Sequence, residues 1–212
     1  MKKLLGALIV LVVLCLAGLA AALYWPGAPL RRDDGNTMSS KPDSTAPQPQ
    51  ALGQFTPLAR PRPAPELAFA APDGRKLRLA DFRGRFALVN LWATWCGPCV
   101  SEMPSLDRLQ ARFGDRLSVV AVSEDRKGGE VVGPFIKRLG LTHLGIYLDP
   151  RMAAQQAFAV EGLPTSFLID PQGRVLGSLM GAADWDSPAM VARLEGYLSR
   201  PGTGATIKAS AQ

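Results

Sequence analysis

The sequence is poor in residues that hold metals. Among 212 residues it has a single histidine, His143, and three cysteines, Cys15, Cys96 and Cys99. A structural zinc site takes about four nitrogen or sulfur ligands. Cys15 lies inside a long apolar run, so only Cys96, Cys99 and His143 remain and zinc fails on ligand count. So few cysteines also exclude a disulfide-dense scaffold, and 47% hydrophobic with 20% charged residues excludes a wholly disordered or collagen-like chain. Internal repeats are lacking, and so is a strong field of one sign. The formal net charge is +6, but seven Lys/Arg and three Asp/Glu precede Glu66, whereas seventeen and fifteen follow from it onward. Most of the excess therefore lies ahead of the folded part, and no nucleic-acid partner is expected. The length suits one domain with appendages.

What is present begins with Leu4 to Leu23, twenty residues without a charge after Met1, Lys2 and Lys3. As a helix this run spans about 30 Å, the thickness of a bilayer core. A cleaved signal peptide is the alternative, with Ala20 to Ala22 as the cleavage site, but its apolar region typically runs only about 7 to 15 residues. Tyr24 and Trp25 suit a membrane interface and the two lysines favour a cytoplasmic start. Residues 1–25 thus read as a transmembrane anchor. From Pro26 to Pro65 lie nine of the eighteen prolines, interleaved with Ser, Thr, Gln and Gly. Such composition buries too little apolar surface to offset the entropy of ordering, so residues 26–63 read as a flexible linker, with a proline-rich docking motif as the lesser alternative.

Residues 64–200 alternate strand and helix patterns, which predicts an α/β fold. Leu67–Ala70 and Lys76–Leu79 flank Pro72-Asp73-Gly74 as a hairpin, and the apolar run Phe86–Trp92 predicts a buried strand. Val100, Met103, Leu106, Leu109 and Phe113 recur at helical spacing, and Leu117–Val122 returns as a strand. A second helix is expected around Val131–Leu139, a strand at Leu144–Leu148, and a helix at Arg151–Phe158 capped by Asp149 with Pro150 at its first position. Thr165–Ile169 and Arg174–Leu179 bracket a turn at Asp170-Pro171-Gln172-Gly173, and Ser187-Pro188 opens a last helix. Residues 201–212 read as a flexible tail.

The chemistry concentrates at Cys96-Gly97-Pro98-Cys99, directly after a buried strand and at a helix start. Covalent haem attachment wants a histidine after the second cysteine, where Val100 stands. A purely structural bridge over so short a loop restricts the unfolded chain little. A reversible redox pair fits best. A helix N-terminus stabilises a thiolate in its first turn, which favours Cys96 as the attacking sulfur. Pro98 suits the first turn because its missing N–H has no partner there, and Cys99, deeper in the helix, is the resolving thiol.

Leu91-Trp92-Ala93-Thr94-Trp95-Cys96-Gly97-Pro98-Cys99, Glu102-Met103-Pro104 and Gly162-Leu163-Pro164-Thr165-Ser166-Phe167-Leu168-Ile169-Asp170 resemble the membrane-anchored TlpA/ResA family of thioredoxin-like proteins over about residues 64–199. With Gly181-Ala182-Ala183-Asp184-Trp185 the likeness is greatest to its TlpA members. The resemblance implies a thioredoxin-like fold: a mixed central sheet flanked by helices, with an N-terminal β-hairpin. It implies a domain on the periplasmic side of a bacterial inner membrane. There it would reduce disulfides of proteins that mature cytochrome oxidases or cytochromes c, fed by a membrane thiol reductant of the DsbD/CcdA type and needing no cofactor. It further implies that Pro164 is cis and faces the cysteines, leaving the Leu163 backbone free to pair with substrate. It makes Glu102, three residues after Cys99 on the same helical face, an active-site acid. Thioredoxin has a buried aspartate six residues before its first cysteine; here Asn90 stands there and cannot accept a proton. Trp95, with Gly97 and Pro98, is expected on the rim that meets partners, Trp92 in the core, Pro104 as a kink and His143 in a loop. A thiol peroxidase on the same fold or a copper(I) metallochaperone are the alternative functions.

Overall fold

Seven consecutive side chains of Phe86–Trp92 (β4) are buried, which requires cover on both faces of the strand. The computed structural model describes residues 53–199, and β4 lies inside an eight-stranded sheet of order β1-β8-β7-β4-β5-β6-β2-β3. The strands are Phe55–Pro63 (β1), Ala68–Ala70 (β2), Lys76–Arg78 (β3), β4, Leu117–Ser123 (β5), Gly145–Leu148 (β6), Thr165–Ile169 (β7) and Arg174–Met180 (β8). β4 runs parallel to β5 and antiparallel to β7, so the sheet is mixed. The helices are Gly97–Phe113 (α1), Gly129–Leu139 (α2), Ala153–Ala157 (α3) and Pro188–Leu198 (α4).

Alternation along β4 sorts its side chains between two cores. Phe86, Leu88 and Trp92 join Met103, Leu106 and Leu109 of α1 and Val191 and Leu194 of α4. Ala87, Val89 and Leu91 join Leu67, Phe69, Phe158 and Phe167 on the other face. Asn90 shares the α1 face by the same alternation.

Two expectations need correction. The linker assigned to residues 26–63 ends too late, because residues 55–63 form β1, antiparallel to β8. Pro57, Pro61 and Pro63 are tolerated because β1 is the edge of the sheet, where one side of the strand makes no ladder bonds. Its pairing shifts between Pro57 and Arg62. Phe55 anchors it, packing edge-on to Tyr197 with ring centroids 5.6 Å apart, over Gly177, where an added Cβ would meet the Phe55 ring at 2.6 Å. The helix expected at 151–158 is shorter, Ala153–Ala157, because Met152 takes a left-handed conformation, φ 57°. Asp149 still serves its N-terminus, its Oδ2 accepting from Ala154 N at 2.7 Å. Among the described residues no helix is long and apolar enough to cross a membrane; the anchor expected at 1–25, Cys15, the linker up to residue 52 and the tail at 201–212 lie outside them.

Candidate active site

Cys96 is the N-cap of α1, its Sγ accepting from Cys99 N at 3.3 Å, with Gly97 and Pro98 opening the helix. The two cysteines are joined by a disulfide, Cα atoms 5.2 Å apart. They are unequal in access: Cys96 keeps 7% of its surface and Cys99 none. A Cβ built on Gly97 meets nothing within 4 Å, so the dipeptide side of the disulfide is open. α1 continues through Pro104.

The loop before Cys96 is tied down by Asp125, just past β5. Its Oδ2 accepts from Thr94 N at 2.9 Å and its Oδ1 from Thr94 Oγ1 at 2.7 Å. Ser123 Oγ donates to Oδ2 at 2.8 Å. Trp92 is fully buried against Phe135, whereas Trp95 is 69% exposed.

The Leu163–Pro164 bond is cis. Register brings it to the cysteines: Leu91 of β4 stands opposite Thr165 of β7, so the chain leaves β4 toward Cys96 at the sheet end where Pro164 enters β7. Leu163 and Pro164 thus share that end with Trp95, Gly97 and Pro98.

Glu102 is buried on the α1 face toward the sheet. Its Oε2 accepts from Trp185 Nε1 at 2.9 Å and Ala183 N at 3.1 Å, and its Oε1 from Asn90 Nδ2 at 2.8 Å. Asn90 Nδ2 also donates to Ser166 Oγ at 2.9 Å. Burial raises the Glu102 carboxyl, the donors from Trp185, Asn90 and Ala183 pull it part of the way back, and the balance stands at about 7. All three partners are donors, so the setting accommodates a carboxylate and leaves it able to take a proton near neutrality. Asn90 therefore does not replace a proton acceptor; it holds one. Trp185 is the functional residue that reasoning from single positions misses, although a buried indole N–H implies an acceptor nearby.

His143 lies in the loop before β6, its backbone N–H and those of Thr142 and Leu144 donating to Asp107 Oδ1 at 2.8–3.0 Å. Its ring Nδ1 is 3.2 Å from Asp107 Oδ2.

A disulfide-bonded cysteine pair at a helix start, a cis proline across the sheet end and a buried carboxyl on the same helix define a thioredoxin-fold thiol:disulfide oxidoreductase. The chain belongs to the AhpC/TSA family, whose sequence profile matches residues 61–177. It is 30% identical over 138 residues to the thiol-disulfide oxidoreductase ResA of Bacillus thuringiensis (strain Al Hakam), 65% of this chain and 75% of that one. To ResA of Geobacillus thermodenitrificans (strain NG80-2) it is 36% identical over 121 residues, 56% of this chain and 67% of the relative. Among solved structures it is similar to a Chlorobium tepidum protein described as thiol:disulfide interchange protein DsbE. There the TM-score is 0.58 with 31% identity, over 66% of this chain and 99% of that one.

Proposed function

We propose that this protein is a membrane-anchored reductant of protein disulfides on the periplasmic side of a bacterial inner membrane, serving cytochrome oxidase or cytochrome c maturation. The observation that carries the direction of attack is the unequal access of the two sulfurs, Cys96 at the helix N-terminus and Cys99 enclosed. In the reduced protein the Cys96 thiolate attacks a substrate disulfide, forming a mixed disulfide and releasing one substrate thiolate. Cys99 then gives up its proton and attacks Cys96 Sγ. The Cys96–Cys99 bond forms, the mixed disulfide breaks, and the second substrate thiol leaves. Glu102 is the acceptor suited to the Cys99 proton, three residues on along α1. Trp95, Gly97, Pro98 and the Leu163 backbone beside Pro164 form the surface an extended substrate meets. The apolar run at 4–23 supports the membrane anchor, and the motif resemblance to the TlpA/ResA family is the ground for the maturation partners and for a membrane thiol reductant of the DsbD/CcdA type.

The test is the reduction potential of the full chain in mild detergent, with Cys99→Ser to trap mixed disulfides. A value near thioredoxin's, about −270 mV, is expected; one near about −120 mV would recast the protein as a disulfide donor. Membrane fractionation of the full chain checks the anchor, which a fully soluble protein would rule out.

A further inference from the structure

Where the loop carrying Thr94 and Trp95 meets the segments that follow β5 and β6, two clefts of about 460 and 650 Å³ adjoin, sharing Arg126 and Met152 in their walls. Trp95, the residue before Cys96, lines the first, and among the described residues it is the large hydrophobic side chain left exposed. Lys127 lines the first cleft and Arg151 the second. Arg126, Lys127 and Arg151 are all exposed, and none of them enters an ion pair among the described residues. Two acids also line the first cleft, but neither offers an exposed negative charge. Asp125 has its oxygens occupied by Thr94 and Ser123. Glu124 is 1% exposed, and the Gln155 backbone is the one hydrogen-bond donor that acts on its carboxyl. Burial, then the charge of Asp149, push it up to about 8, so it is mostly neutral at pH 7. The surface around Trp95, the residue before Cys96, thus combines one aromatic face with three exposed cations over two buried acids.

We propose that this surface docks an acidic segment of the substrate protein, flanking its disulfide, with an apolar side chain against Trp95 and Met152 and carboxylates toward Arg126, Lys127 and Arg151. The proposal rests on the reductase reading above and names the charge of its substrates. Such complementarity acts mainly through encounter and orientation, so it belongs in kcat/KM and is screened by salt.

The test uses the reduced full chain and three matched disulfide-bonded peptides that differ only in carrying aspartate, asparagine or lysine at two positions beside the cysteine. At low ionic strength kcat/KM is expected to be at least about fivefold higher for the aspartate peptide than for the lysine peptide. The difference should shrink toward parity in about 0.5 M salt. The triple variant Arg126→Glu, Lys127→Glu, Arg151→Glu, which touches only exposed side chains, should invert the order. Equal rates for all three peptides, or a preference for lysine in the parent protein, overturn the docking surface while leaving the reductase reading intact. Failure to reduce any of the three overturns both.

Discussion

Glu102 shows how a single side chain is given a working range by its neighbours. Burial alone would keep it protonated well above neutrality; three N–H donors bring it back to about 7. Trp185→Phe removes one donor at little change of shape. The pH midpoint for resolving the mixed disulfide should then rise above that of the parent, read by rapid quench across pH 5 to 9. Glu102→Gln removes the acceptor and should slow resolution about a hundredfold, with the mixed disulfide accumulating. An unchanged midpoint in the first variant would deny Trp185 its positioning role. Glu102 is legible in the sequence because its spacing from Cys99 is local. Trp185 is not, since its bond to Glu102 spans 83 residues and depends on a turn that only the folded sheet places.

At the scale of elements, a continuous apolar run marks β4, the turn at Asp170-Pro171-Gln172-Gly173 marks β7 and β8, helical spacing marks α1, and Ser187-Pro188 marks the start of α4 by the capping it performs. β1 was hidden by its composition: three prolines in nine residues argue against a strand unless the strand lies at an edge, and edge position is a tertiary fact. Its packing yields a test. Gly177→Ala places a methyl group into the Phe55 ring and within 2.7 Å of the Thr56 carbonyl, and should destabilise the fold by about 1–3 kcal/mol in urea titration. Phe55→Ala in the same chain should cost less than it does in the parent, because the two changes act on one contact. Strict additivity would place Gly177 outside the contact. The residue types overstate the length of the helix after β6 for a related reason. Asp149 and Pro150 signal a start, but the left-handed Met152 delays it, and nothing in the residue types announces that.

Across the described residues, two buried carboxyls have raised values, Glu102 at about 7 and Glu124 at about 8. Both lie above the ordinary 4.5, so their contribution to folding is fully present below about pH 4.5. It is lost as pH rises through 7 for Glu102 and 8 for Glu124, because ionisation then costs more in the folded than in the unfolded chain. For Glu102 the swing is on the order of 3 kcal/mol. Glu102→Gln and Glu124→Gln should each flatten the fall in stability of the oxidised protein between pH 5 and 8.5, measured by denaturant titration at each pH. A parent and variants with parallel curves would mean that these carboxyls are solvated.

The two halves of the site are held at their distance by the backbone ladder between β4 and β7, whose register puts Leu91 opposite Thr165, while the position between the cysteines faces open space at Gly97. Scaffold and chemistry are therefore separable. A methyl group at residue 97 would meet no neighbour within 4 Å, so the loop between the cysteines can change its side chain, in nature or by design, on a frame whose strand register stays the same.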